Sequence, residues 1–366
     1  MKILLVTGIY PPDVGGPATF IPRMAQYLSE RDIQVEVLTL AGGEKSVEEN
    51  SWKVKKINRQ IIFPIRFILT VLTAIKSLRT CDAVFVNGLH EELGLALRFV
   101  KRKSVAKIVG DPVWERSINS GKTNLSIEEF NISKLNLSNS LQRKLLVNSL
   151  NQFNFVISPS QGLVDLVKCW GVSAETFFLP NGIENLEDSS SEIKFDLITV
   201  SRLVKWKQVE AVIRSASVLK LDICIVGDGP EKNSLLNLAN QLECRATFMG
   251  KIDEDEAINL IKKAKIYVLF STYEGLSFSL LQAMNLGKAI VVSNARGNID
   301  VITNGLDGLV VDMNDQDALT ETLKNLSLNK DLRNKLGLKA RETALDRYSL
   351  EKTLIATSAL LGVGHE

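Results

Sequence analysis

The sequence predicts an α/β fold built as two doubly wound, Rossmann-like domains facing a cleft. Short, continuously apolar runs alternate with helix-period segments along the whole chain, and runs apolar at every position suit parallel strands covered on both faces. The rhythm breaks at "NGIENLEDSSSEIK" (181–194), a polar, acidic, serine-rich stretch, and then restarts, as a linker between two domains would make it. With 366 residues, 45% of them hydrophobic and 23% charged, the chain can bury two cores.

In the first half "KILLVT", "VEVLTL", "DAVFVN", "AKIVG" and "FNFVIS" read as strands. After residue 190 the strands are "FDLITVS", "LDICIVG", "RATFMG", "KIYVLFS", "KAIVVS" and "DGLVV". From about residue 315 the chain is helical, in "QDALTETLKNL", "DLRNKLGLKARETALDRY" and "SLEKTLIATSALL". The domains expected are 1–185 and 186–345, with a final helix, 346–366, returning to the first domain.

Charge is uneven. The net charge is +2, but residues 1–180 hold 22 Lys+Arg against 16 Asp+Glu, and residues 53–144 hold 17 against 7. Such a surplus can attract anionic lipid, nucleic acid or a phosphorylated substrate, or be a solvated lysine surface. The cysteines Cys81, Cys169, Cys224 and Cys244 have no CxxC spacing and read as reduced thiols of a cytoplasmic protein. The apolar start of the chain is interrupted by Gly8, Pro11, Pro12 and Asp13 too early for a signal peptide. "IIFPIRFILTVLTAI" (61–75) contains Pro64 and Arg66 and is shorter than the roughly 20 residues of a bilayer span. It reads equally as a buried helix or as a face that docks on anionic membrane.

Ligands of parallel α/β sheets bind beyond the carboxyl ends of the strands, so chemistry is sought in the loops that follow them. After the first strand, Gly15 and Gly16 precede a helix and leave its N–H groups unshielded, which suits a phosphate or sugar hydroxyl. The pattern is not GxGxxG, which argues against a nicotinamide dehydrogenase. In "SRLVKWKQVEAVI", Arg202 and Lys207 could together neutralise a diphosphate. "VGDGPEK" offers Gly227 and Gly229 for close approach to a base or ribose, with Pro230 in the first turn of a helix. "STYEGLSFSLLQAM" places Glu274 in a loop at the positive end of a helix, whose Leu280, Leu281 and Met284 share one face and Gln282 lies on another. The acidic stretches 253–257 and 314–318 read as helix N-termini rather than metal sites.

In that order and spacing, "SRLVKWKQVEAVI", "GDGPEK", "STYEGLSFSLLQAMNLGKAIVVS" and "NGLDGLVV" resemble the second domain of the retaining GT-B glycosyltransferases of family 4. "PPDVGGPATF", "ISPSQGLVDLV" and "LPNGI" are similar to motifs of that family's first domain. The resemblance implies that Arg202, Lys207 and the N–H groups of Leu276 and Ser277 hold the donor diphosphate, that Glu274 and the adjoining Gly275 meet the donor sugar, that Gly15 and Gly16 face the donor across the cleft, and that Asn181 and Gly182 line the hinge side. Two departures stand out. The family often has a second glutamate on the nucleotide ribose where this chain has Gln282. Many members carry a histidine near "AKIVGDPVWERS", where Asp111 stands instead, either touching substrate hydroxyls or capping a helix. His90 and His365 are the only histidines, and His90 is either the substitute or a local capping residue.

The function so implied is transfer of a sugar, with retention, from a nucleotide sugar to a hydroxyl of a glycan or lipid-linked saccharide in cell-surface polysaccharide synthesis, with no metal and no other cofactor. A sugar-nucleotide-binding protein without transfer is the alternative. Nucleic acid is not an expected partner, and the location expected is cytoplasmic, with peripheral contact at the inner membrane face as the docking reading of 61–75 would have it.

Overall fold

A computed structural model describes residues 1–13, 15–42, 48–49, 52–186 and 192–364. The chain divides into two compact units, one of Met1–Pro180 with the segment from Lys352 onward, the other of Asn181–Glu351. The boundary falls before Asn181, not inside the polar stretch, because Ile183 is buried in the second unit. There its N–H donates to the Tyr348 carbonyl at 2.9 Å and its carbonyl accepts from Leu350 N–H at 2.9 Å. Residues 187–191 of the expected linker lie outside the described residues, as does His365.

The first unit runs β1 (Lys2–Thr7), α1 (Gly16–Ser29), β2 (Gln34–Ala41), β3 (Glu48–Glu49), β4 (Trp52–Asn58), α2 (Phe63–Leu78), β5 (Ala83–Asn87), α3 (His90–Phe99), β6 (Lys103–Lys107), α4 (Pro112–Asn119), α5 (Ile127–Ile132), α6 (Leu137–Leu150), β7 (Phe155–Ser158), α7 (Gln161–Cys169) and β8 (Glu175–Phe178). Its sheet order is β3-β4-β2-β1-β5-β6-β7-β8, parallel except for the β3–β4 pair. The apolar strands β1 and β5 are buried on both faces. Leu4 and Val6 join a core with α2, α3 and α6, while Phe85 meets Phe20 of α1 with ring centroids 5.7 Å apart.

The second unit runs β9 (Phe195–Val200), a single 3-10 turn (Lys205–Lys207), α8 (Val209–Leu219), β10 (Ile223–Val226), α9 (Lys232–Gln241), β11 (Ala246–Gly250), α10 (Glu254–Lys262), β12 (Ala264–Leu269), α11 (Phe278–Asn285), β13 (Ala289–Ser293), α12 (Arg296–Ile299), β14 (Leu309–Val311), α13 (Gln316–Leu328) and α14 (Lys330–Arg347). The last helix, α15 (Leu350–Leu361), starts in this unit and continues into the first. All neighbours in the sheet, β11-β10-β9-β12-β13-β14, are parallel. Adjacent residues go to opposite cores: Leu197 packs with α8, α9 and α13, and Ile198 with α10, α11 and α14.

Both sheets reverse their winding once, between β1 and β5 and between β9 and β12. At such a point consecutive crossover helices leave to opposite faces, which opens a crevice at the carboxyl edge. The loops at these places are 8–15 and 88–89 in the first unit, and 201–208 and 270–277 in the second.

Candidate active site

At the second reversal, the loops after β9 and β12 are tied together by their backbones. The N–H of Thr272 donates to the carbonyl of Trp206 at 2.8 Å. Trp206 is itself buried and anchors the 3-10 turn, so its neighbour Lys207 is carried to Glu274. The ammonium of Lys207 forms a short ion pair with Oε1 of Glu274, and the Ser271 hydroxyl donates to the same oxygen at 2.7 Å. Glu274 is only 7% exposed, so two donors on Oε1 hold the carboxylate in a single position and leave the acceptor capacity of Oε2 for a ligand.

The platform behind this loop is glycine- and amide-built. A Cβ on Gly297 would lie 2.2 Å from the Glu274 carbonyl oxygen, so α12 can back the loop only with glycine there. Asn298 Nδ2 donates to Ser293 Oγ at 3.0 Å, and Ser293 Oγ donates to the Ser271 carbonyl. The Ser271, Ser293, Gly297 and Asn298 contributions escape sequence reading, except that Ser271 precedes Glu274 by three in one loop, a spacing at which a hydroxyl can reach a carboxylate.

Past Glu274 the chain enters α11, whose N-cap is Ser277, its hydroxyl accepting from Leu280 N–H at 3.3 Å. Ser279 donates to the Val200 carbonyl at 2.8 Å and meets Tyr267 Oη at 2.8 Å, which ties this helix start to the end of β9. The N–H groups of Leu276 and Ser277, just ahead of the first turn, therefore stand beside the Arg202 loop, in the arrangement in which a helix N-terminus takes an anion. Arg202 is exposed. Asn181 donates to the Leu276 carbonyl at 3.4 Å and keeps its buried Oδ1 unpartnered, with Gly182 buried next to it. Gly275 is buried beside Glu274.

Gly227 and Gly229 have a local duty in packing two loops. A Cβ on Gly227, at φ 135°, would fall 1.8 Å from the Ser201 carbonyl oxygen, and one on Gly229 would fall 2.3 Å from that of Leu203. They let the loop after β10 lie directly on the one that carries Arg202. Pro230 precedes α9 rather than entering it.

Gln282 was expected on a helix face apart from the core; it is instead buried, its Nε2 donating to Glu254 Oε1 at 2.7 Å. A carboxylate thus stands beside this position after all, brought from the first turn of α10. The two acidic stretches are helix starts: Asp253 caps α10, accepting from Glu256 N–H at 2.8 Å, and Asp315 caps α13, accepting from Ala318 N–H at 2.8 Å.

In the first unit, Gly15 is the N-cap of α1 and Gly16 its first residue, at the carboxyl edge of the sheet. Arg59 clamps the preceding loop, donating to the Gly8 and Leu40 carbonyls at 3.1 Å each and pairing with Asp13. Asp111 is fully buried. Its Oδ1 accepts from Val113 and Trp114 N–H at 3.0 and 3.1 Å, and its Oδ2 from Arg143 at 2.6 Å and Asn131 at 3.1 Å. Of its two readings the cap is realised, and the catalytic one is corrected: both oxygens are engaged and neither reaches solvent. His90 is the first residue of α3, not its cap, and Nε2 lies 3.0 Å from the Lys107 carbonyl oxygen. Burial holds the imidazole below its ordinary value, hence neutral.

A model of the glycosyl transferases group 1 matches residues 184–343, and one of glycosyltransferase family 4 matches residues 14–185. The chain is 27% identical to an uncharacterized glycosyltransferase of Methanocaldococcus jannaschii, over 97% of this chain and 96% of the relative. It is 26% identical to the alpha-monoglucosyldiacylglycerol synthase of Streptococcus pneumoniae, over 81% of this chain and 71% of that one. The solved structure of Anabaena HepE in complex with UDP and glucose has a TM-score of 0.78 to it at 18% identity, covering 100% of both chains. Matched from residue 14 to residue 343 by the two models, and folded as two parallel sheets that each reverse their winding once, the chain belongs to the family 4 glycosyltransferases, enzymes of the GT-B fold.

Proposed function

We propose that this enzyme transfers a sugar, with retention of its anomeric configuration, from a nucleoside-diphosphate sugar to a hydroxyl of a glycan or lipid-linked saccharide. The observation that carries the proposal is the clamped Glu274 carboxylate beside the N-terminus of α11. An anionic diphosphate suits the N–H groups of that helix together with Arg202 and Lys207. Lys207 has three donors and gives one to Glu274, so it can serve the sugar-binding carboxylate and the leaving group at once. Glu274 Oε2 remains to accept from a sugar hydroxyl. In this reading Gly227 and Gly229 serve the donor site by letting the loop after β10 lie on the Arg202 loop, Asn181 and Gly182 lie beside Leu276, and Gly15 and Gly16 leave the N-terminus of α1 open to ligand. Gln282 and Glu254 together would meet the ribose.

No protein nucleophile is needed. The acceptor hydroxyl attacks from the face the diphosphate leaves, its proton passes to a phosphate oxygen, and the sugar–phosphate bond breaks. The enzyme supplies position and charge compensation, without metal or other cofactor. The acceptor is assigned to the first unit, and the pneumococcal relative, named for making a glycolipid, supports a lipid-linked one. Peripheral contact with the anionic cytoplasmic face of a membrane belongs to the same proposal.

Glu274→Gln and Lys207→Met test it. Each is expected to lower turnover of the matching donor by about 10²-fold or more, while circular dichroism shows an unchanged fold. Turnover near that of the wild type in either purified variant would overturn the assignment.

A further inference from the structure

Helix α2 is apolar on both of its faces. Its inner face, Val71, Ala74 and Leu78, is buried in the core with α3 and α6. On the opposite face Ile65, Ile68, Leu69 and Leu72 recur at i, i+3, i+4 and i+7 and are 51%, 57%, 40% and 58% exposed. Ile62 and Phe63 extend this stripe at its N-terminal end, 66% and 61% exposed. The outer face of a helix on a soluble sheet is ordinarily polar, and a contiguous exposed apolar patch marks a surface that something covers.

The same stripe continues to Lys76 and Arg79, at i+11 and i+14, both exposed. From Arg59 to Arg79 there are four basic residues and no acidic one. The neighbouring α3 ends in exposed Arg98 and Phe99, and the basic run Lys101–Arg102–Lys103 follows. Arg102 donates to the Cys81 carbonyl at 2.7 Å and the Arg79 carbonyl at 3.4 Å, which sets that run beside the C-terminal end of α2.

We infer that the outer face of α2, with the basic C-terminal ends of α2 and α3, is a docking surface for an anionic lipid bilayer. The apolar stripe enters the boundary between headgroups and acyl chains while the cations meet acidic headgroups. A second copy of the chain fits less well, because a two-fold interface would set this uncompensated basic patch against itself. No helix among the described residues is long and apolar enough to cross a membrane, so α2 would lie in the interface plane. The inference deepens the proposed function, resting on the transferase reading for its purpose but not for its geometry.

Co-sedimentation of the full chain with phosphatidylcholine vesicles, with and without phosphatidylglycerol, tests it. The wild type is expected to favour the anionic vesicles. Lys76→Glu with Arg79→Glu should weaken that binding at least about 25-fold, at about fivefold per cation lost, and remove the preference. Ile65→Asp with Leu69→Asp should lower binding to both vesicle types at least about tenfold. Thermal stabilisation by UDP, GDP or ADP is measured on all three proteins and is expected to be equal among them. A wild type that sediments with neither vesicle, variants that bind like it, or an apolar variant that turns a dimer into a monomer while vesicle binding is nil would each overturn the docking surface. Loss of nucleotide stabilisation in all three would overturn the transferase reading alone.

Discussion

Lys107, at the end of β6, is buried to 1% exposure, with its ammonium 4.2 Å from the centroid of the Phe20 ring and no hydrogen-bond acceptor. Burial pushes its amine down to about 7. The folded value thus lies below that of the unfolded chain, about 10.4, and between the two the unfolded state holds one more proton. Stability therefore rises as pH goes from about 7 towards 10, and the full cost is present below 7. Lys107→Met is expected to stabilise the first unit by roughly 2–4 kcal/mol at pH 8 and to flatten that slope, as urea denaturation at several pH values would read. Asp111 makes the opposite case. Asp111→Ala removes a cap and strands the buried Arg143, for a loss of about 3–5 kcal/mol, and a melt of the purified variant checks it. A variant that melted like the wild type would show the carboxylate is not structural. "DPVW" made the cap legible, Asp ahead of Pro at a helix start, whereas Asn131 and Arg143 lie 20 and 32 residues away and only folding brings them in.

At the scale of elements, the loop that carries Glu274 is held from behind by α12. Gly297→Ala puts a methyl where the Glu274 carbonyl stands, so the loop must move by a large fraction of an ångström. A displacement of about 1 Å can cost about 10²-fold in rate, and kcat is expected to fall by that order while KM for the acceptor changes little, as steady-state kinetics would read. The strands whose residues are all apolar were legible because both their faces are covered. β4, "WKVKKIN", was not: it lies near the sheet edge, beside the short β3, and buries only Trp52, Val54 and Ile57, leaving lysines in between. β6 starts three residues before "AKIVG", since Lys103 and Ser104 pair with Ala83 and Val84 whatever their polarity. Helix α2 read equally as buried or as docking because its apolar residues occupy both faces, and only the packing tells inner from outer.

At the scale of the whole molecule, the second unit is one continuous segment and the first is closed by residues from the far end of the chain. Thr353 donates to the Pro180 carbonyl at 3.1 Å, and Leu354 and Leu361 are buried. Ending the chain at Glu351 removes two buried leucines, each worth about 2–5 kcal/mol. The melting transition of the first unit is expected to fall by several degrees or be lost, with that of the second retained, and differential scanning calorimetry would separate them. Two transitions shifted equally would contradict the division.

The sequence by itself determined the parallel α/β class, the restart near residue 190, the helical end of the chain and the loops in which Arg202, Lys207 and Glu274 stand. Apolar continuity and punctuation by glycine and proline are local properties, written in neighbouring residues. Tertiary structure decided who meets whom: that Lys207 and Ser271 share one oxygen of Glu274, that Gln282 reaches Glu254, and that Asp111 spends both oxygens inside the first unit. Ser271 and Glu274 share a loop, but the pairings of Lys207 with Glu274, Gln282 with Glu254 and Arg143 with Asp111 join residues 28 to 67 positions apart, and sheet order and helix packing, which no local pattern encodes, set which of them come within reach.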